Sequence, residues 1–394
     1  MRRDDELQLG DELLQLVTDG PTPAQSPARS LSADAYRSVP RHVGELAAIR
    51  TKPAAAAHAS DIAMPGDFIT TEIAGRPVII ARDRDGQVRA MHNACAHRGA
   101  TVETRPSGSA RALSCAFHGW SYQLDGSLRS IADAKLFSSA PCGKGLQALA
   151  CEERHGIVWV TADHTAAPLS VRDWLGHELD DLLSYLGLGD MVRHAVTDFE
   201  VDANWKLLTD GFLELYHLRY LHRKTIAPYF PANTTRVLRF GDHLGKALPK
   251  NRLLKDLAEM PRDEWKVIKG ITMPIVLMPG TVIEWQAGHV EVFSLRPDPD
   301  DPSRTVVRLW LAVPADRADE TDLWDRNWER VTETVTEEDF AAAVDVQRNI
   351  DAGIVDEILI GANEELLIEH LDAVDRITTE AQSGEVTAVA HSQG

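Results

Sequence analysis

The chain has 394 residues, of which 44% are hydrophobic and 26% charged, and its formal net charge is −19. This length fits two ordinary domains, and so large an acid excess argues against nucleic acid or an anionic membrane as the main partner. Residues 1–20 mix charges throughout, no later apolar run approaches a membrane span, and four cysteines make no disulfide framework. A soluble protein of the reducing cytoplasm is expected.

Residues 1–59 begin with a helical pattern over Glu6–Val17, pass through a Pro-, Ser- and Ala-rich loop, and return to a helical stretch at Val43–Ile49. They carry no evident chemistry and read as an N-terminal helical arm. Residues 60–165 read as short strands: Thr70–Ile73, Pro77–Ala81, Val88–Met91, Trp120–Leu124, Leu128–Ile131 and Ile157–Val160. Asp85-Gly86 and Asp125-Gly126 are hairpin turns between them. A small all-β domain is expected there.

From 166 the pattern changes. Trp174–Leu186 and Asn204–His222 read as helices, with strand-like Phe199–Asp202 between them. Strands return at 272–294 and 304–313, and long helical patterns cover Leu323–Ile350 and Glu364–Ile377. This predicts an α+β domain over 166–378, long helices on an antiparallel sheet. Residues 379–394 lack periodicity and read as a flexible tail.

The β domain carries Cys95-Ala-His97-Arg-Gly99 and, with seventeen residues between His97 and Cys115, Cys115-Ala-Phe-His118-Gly-Trp120. Each half offers a thiolate and an imidazole, with a glycine behind them to let the loop turn. Two such loops can hold two irons, both cysteines on one and both histidines on the other. A zinc site could also use two Cys and two His, although zinc fingers usually pair like with like. Together, C-x-H-R-G and C-x-x-H-G-W resemble the Rieske domain of ring-hydroxylating oxygenase α subunits. The resemblance implies that Cys95, His97, Cys115 and His118 hold a [2Fe–2S] cluster. Cys142 and Cys151 have no histidine at motif spacing and read as core.

In residues 204–222, His217 and His222 stand five apart, about 140° around a regular helix. To share one metal they need the helix to bulge or end between them, and on spacing alone each reads as structural. The segment nevertheless resembles the family's N-W-K…E-x-Y-H-x(4)-H signature, which implies that both bind a mononuclear Fe(II). A 2-His-1-carboxylate face leaves positions open for O₂. Residues 336–348 resemble the family's E-D…Q segment, which points to Asp339 as the third ligand, with Asp345 and Glu338 as competitors.

Glu214 stands where ring dioxygenases usually carry a bridging aspartate, so it is a candidate to link the two metal centres. Asp210 is its rival, and Tyr216 lies in the same signature. A glutamate there also resembles oxygenases acting on quaternary ammonium compounds. Tyr229, Phe230, Ile275, Leu277, Met278 and Trp285 are candidates to line an apolar pocket.

The resemblance covers roughly residues 60–375. It implies a helix-grip catalytic domain with long C-terminal helices, and a head-to-tail homotrimer. It also implies O₂ as co-substrate, and electrons from NAD(P)H through a partner reductase or ferredoxin. The expected reaction is hydroxylation of a small organic substrate, aromatic or N-methylated. A Rieske electron carrier without oxygen chemistry stays open, as do a ligand-binding redox sensor and a zinc-ribbon assembly domain.

Overall fold

The computed structural model describes residues 1–19, 27–137, 144–165, 168–231 and 234–392, with side chains to 382. Cys142 lies outside them. Two compact units result: residues 49–171, and residues 1–48 together with 172–394.

The unit of residues 49–171 is built from three antiparallel sheets. In the five-stranded one, Arg76–Arg82 lies between Asp67–Ile73 and Val88–His92. Side chains alternate along it with period two. Val78 and Ile80 therefore join one core with Val158 and Val160, while Ile79 and Ala81 join a second with Cys95, Cys115, Trp120 and Tyr122. The expected hairpin turns form, with Gly86 at φ 80° and Gly126 at φ 85°, values that favour glycine.

In the other unit a seven-stranded antiparallel sheet runs in the order Met191–Val201, Thr305–Pro314, Val290–Pro297, Thr281–Gln286, Ile271–Leu277, His243–Pro249, Arg236–Phe240. One face is covered by helices: Phe293 meets Phe212 at 4.9 Å, Phe199 meets Phe340 at 6.0 Å, and Trp324 packs on Leu311 and Val313. Toward the other face, Trp285 donates its indole N–H to the Ile268 carbonyl at 2.7 Å. The N-terminal helix Arg3–Asp19 fixes the same loop through Glu6, which accepts from the Ile268 amide at 3.2 Å.

Several elements differ from the sequence reading. Residues 1–48 pack with the unit of the seven-stranded sheet and not with the β unit that follows them in the chain. Trp174–Leu186 is two helices, Val171–Leu175 and His177–Tyr185, because Gly176 takes φ 75° between them. The last helix runs over Glu365–Ser392, through residues expected to be loose. Propagation adds one hydrogen bond per residue once a helix is nucleated, so weak periodicity does not stop it.

Candidate functional site

In the β unit, the two loops bearing the cysteine–histidine pairs have one backbone design. Cys95 N–H donates to Ala100 O at 2.8 Å and Gly99 N–H to Cys95 O at 2.8 Å. The second loop repeats both bonds, Cys115 to Trp120 O at 2.9 Å and Gly119 to Cys115 O at 3.0 Å. Gly99 and Gly119 have φ 75° and 70°, which is why each motif has a glycine there. The loops face each other, with the His97 and His118 rings 4.6 Å apart and both cysteines buried.

Trp120 stacks on His97 at 5.0 Å, and Phe137 closes on both rings edge-on. The Tyr122 hydroxyl lies 3.0 Å from Cys95 Sγ and accepts from the Ala96 amide at 3.1 Å. Burial and the Cys95 contact push the Tyr122 phenol up, so it stays a neutral donor. His97 Nδ1 is buried with no hydrogen-bond partner among the described residues. Such an atom is costly unless something binds it, and two thiols with two imidazoles are the donor set of a Rieske cluster. The site fits that group. Removing the bond to the cluster sulfur by Tyr122→Phe is expected to lower the reduction potential, on the order of 50 mV. Protein-film voltammetry reads this directly.

In the other unit, the Trp205–Leu213 helix stops at Glu214, whose backbone is extended (φ −122°, ψ 163°). A one-turn helix, Leu218–Leu221, follows, with His217 at its head and His222 at its end. The long helix thus ends before the pair rather than between its members, and the short turn that joins them ends at His222, whose backbone leaves the helical region (φ −91°, ψ 18°). The third residue comes from a wide π-helical turn, Val335–Phe340, between the helices Thr321–Thr334 and Ala341–Asp351. Turns of this kind are rare and gather at functional sites. One ligand atom each from His217, His222 and Asp339 lies within 4.8 Å of the others. His222 Nε2 is 3.1 Å and His217 Nε2 3.8 Å from Asp339 Oδ1.

The outer nitrogens are also held. His217 Nδ1 is bonded to Glu214, and His222 Nδ1 to Glu338 Oε2 at 2.6 Å, which also accepts from Thr225 at 2.8 Å. Carboxylates behind both imidazoles orient the ring edges that face Asp339. Burial pushes the Glu214 carboxyl up, but the His217 ring with the His217 and Tyr216 amides outweighs it and holds it below the usual range. His222 shows the opposite balance: burial lowers it, while Asp339 and Glu338 raise it further. Two imidazoles and a carboxylate converging this way fit a divalent iron.

Glu338, a competitor for third ligand, thus stands behind His222. Asp345 is exposed and pairs with Arg348 at 2.9 Å, away from the triad. Asp210 is not brought to the imidazoles either: its Oδ2 accepts from the buried Tyr36 hydroxyl at 2.8 Å, and Oδ1 is 3.7 Å from His370. Tyr216 is exposed beside Tyr220. The rest of the signature is scaffold. The Asn204 side chain caps the helix by accepting from the Lys206 amide at 3.0 Å, and Lys206 forms a buried ion pair with Glu45 at 2.5 Å. Gln347 ties the two signatures together by accepting from the Asn204 amide at 3.0 Å.

The residues expected to line an apolar pocket mostly turn away. The strand register puts Met273, Ile275 and Leu277 with Ile283 and Trp285 on the face toward Ile268. Met278, beyond that strand, is buried with its amide on His243, and Tyr229 is exposed. The face under the helices carries Lys246, Glu284, Gln286 and Glu291, which the sequence reading missed. Every residue of the Ile271–Leu277 strand is buried, so its sequence gives no sign of which face is which.

Comparison with known proteins follows this division. Residues 52–141 match the family model described as Rieske [2Fe-2S] domain, and residues 188–380 match the ring hydroxylating alpha subunit (catalytic domain). The chain is 35% identical over 183 residues to the methanesulfonate monooxygenase hydroxylase subunit alpha of Methylosulfonomonas methylovora, covering 43% of this chain and 44% of that one. It is 26% identical over 336 residues to the glycine betaine monooxygenase oxygenase subunit of Chromohalobacter salexigens, covering 74% and 72%. The alignments thus span under half the length of the first relatives it matches. Among solved structures, a quaternary ammonium Rieske monooxygenase in complex with L-carnitine superposes with TM-score 0.70 at 23% identity, over 90% of this chain and 95% of that one. Naphthalene 1,2-dioxygenase from Rhodococcus sp. bound to indole gives 0.71 at 18%, over 94% and 97%. At these identities the likeness is one of fold.

Proposed function

Because the chain belongs to the Rieske-type ring-hydroxylating oxygenase α subunits, we propose that it is the terminal oxygenase of a multicomponent system. It hydroxylates a small organic substrate with O₂, using electrons that a partner reductase or ferredoxin draws from NAD(P)H. It acts in the cytoplasm as a homotrimer; no helix among the described residues is long and apolar enough to cross a membrane. The observation that carries this reading is the triad of His217, His222 and Asp339, each imidazole backed by a carboxylate, in a chain that also holds a separate Cys₂His₂ site. A plain electron carrier has no use for the triad.

Cys95, His97, Cys115 and His118 would hold the [2Fe–2S] cluster, and His217, His222 and Asp339 would hold the mononuclear Fe(II). The bound iron supplies the oxygen chemistry. The chain's own residues do the positioning. Glu214 and Glu338 fix the tautomers of His217 and His222 by accepting from Nδ1–H, which leaves Nε2 free to ligate. Glu214 is also the residue that links this site electrically to the cluster of a neighbouring subunit.

A second reading, oxidative attack on a quaternary ammonium or N-methylated compound, is favoured by glutamate instead of aspartate at position 214. Relatives named for glycine betaine and carnitine agree with it.

The test is iron per chain after anaerobic purification, for the native protein and for a His217→Ala/His222→Ala double variant. About three irons falling to about two, with the cluster spectrum unchanged, supports the two-centre oxygenase. About two in both proteins makes the chain an electron carrier, and zinc in place of iron removes the Rieske assignment.

A further inference from the structure

The face of the seven-stranded sheet beneath the iron triad carries an unusual row. Across four neighbouring strands the register aligns Lys246, Pro274, Glu284 and Glu291, ending against Leu311 on the fifth. This is the face that meets Phe212 and Phe340, neighbours of Glu214 and Asp339. Its polar groups are linked sideways: Gln286 donates to Glu284 Oε1 at 3.1 Å, and Thr272 donates to Gln286 at 2.8 Å. Beside them, His289 Nε2 is 3.3 Å from Glu291.

Such a row is costly. Glu284 and Glu291 stand directly opposite each other on adjacent strands, which places like charges about 5 Å apart at the Cβ atoms. Burial pushes the Glu284 carboxyl well up, and the Glu291 and Asp339 charges push it further. Lys250 lies near enough to oppose this, but it forms no ion pair with either carboxylate among the described residues. Although its strand is central, Glu284 is only partly covered. At the other end of the row Lys246 is 3% exposed, and its ammonium has no hydrogen bond or ion pair among the described residues. A buried cation with no ion pair, on the same sheet face as a carboxylate pair, is hard to explain by stability, since each charge left without a partner costs several kcal/mol. The register puts Lys246 on the sheet face that meets Phe212, and the charges of Glu214, Glu364 and Glu365 act on its ammonium.

We propose that this row is the substrate floor, and that the substrate is a zwitterion whose anionic end pairs with Lys246 and whose cationic end sits on Glu284 and Glu291. Lys246 and Glu284 are two strands apart, about 10 Å. With contacts of about 3 Å at each end, the ligand's charges lie roughly 4–10 Å apart. A small ammonium carboxylate or ammonium sulfonate has that span. The inference rests on the oxygenase reading above and narrows its substrate class.

The test is isothermal titration calorimetry on the full, iron-loaded chain, with trimethylammonio-alkanoates of two to six carbons. The matching alkanoates and alkyltrimethylammonium ions serve as single-charge controls. One chain length is expected to bind at least about tenfold tighter than either control. Lys246→Met should weaken that zwitterion by about 10- to 100-fold, the worth of one charge-assisted bond, and leave the alkyltrimethylammonium ion unaffected. Glu284→Gln, which keeps the shape of the protonated acid, should do the reverse for the alkanoate.

Equal binding of zwitterion and controls, or an affinity untouched by both substitutions, overturns the proposal. Oxygen uptake separates the two claims. Uptake triggered by an uncharged aromatic, with no zwitterion bound, removes this inference and keeps the oxygenase. A bound zwitterion that triggers no uptake keeps the floor and removes the oxygenase.

Discussion

Replacing Asp339 with alanine is expected to strip the mononuclear iron and to reduce substrate-dependent O₂ uptake by more than about 100-fold. Losing a group that only orients a metal ligand costs about 10- to 100-fold, and Asp339 is the group both histidines face, at 3.1 and 3.8 Å. Glu338→Gln should fall within that smaller range, because Glu338 touches only the back of His222. Asp345→Ala should be neutral, its carboxylate being 71% exposed and paired with Arg348 on the helix surface. Iron content and O₂ uptake across the three variants rank the carboxylates. If Asp345→Ala loses iron while Asp339→Ala keeps it, the triad is wrongly assigned.

Lys246→Met is expected to make the protein more stable. Burial lowers the Lys246 pKa from 10.5 to about 8, against weaker support from Glu214, Glu364 and Glu365. Between those values the unfolded chain holds a proton that the folded protein has released, so stability rises with pH through that window. Below pH 8 the native lysine carries the whole cost, about 3 kcal/mol at 1.36 kcal/mol per pKa unit. Methionine removes it while roughly conserving volume. Urea denaturation at matched metal content should therefore favour the variant by about 3 kcal/mol at pH 7, with the gap closing between pH 8 and 10.5. A gap independent of pH would mean that Lys246 is not held as a strained cation. Conversely, a protein that retains such a residue against its own stability points to a use for the charge, as the zwitterion floor provides.

Much of the metal chemistry was legible in the sequence because ligands are few, polar and locally spaced. Cys95, His97, Cys115 and His118 stand out by type, and the glycines behind them mark the turns. The spacing of His217 and His222 also ruled out one regular helix through both, and the structure replaces it with a single turn that ends at His222. Less legible were features set by distant packing. Nothing local distinguishes Asp339 from Glu338; a wide π turn decides which carboxylate faces Nε2 and which faces Nδ1. Asp210 reads as a bridging candidate until Tyr36, 174 residues away, is seen to hold it. The orientation of the pocket candidates was hidden for a similar reason: apolar strands buried on both faces do not show which way their side chains point. Lys246, Glu284 and Glu291 lie far apart in the chain and become neighbours only through strand register.

The same π turn sets one ring in advance. Neighbours on a regular helix point about 100° apart, yet Glu338 and Asp339 grip opposite edges of one imidazole, Nδ1 at 2.6 Å and Nε2 at 3.1 Å. The His222 ring is clamped like a hinge pinned at both ends, and it has no free edge to swing by. The His217 ring is held from behind by Glu214, and its other edge stands 3.8 Å from Asp339.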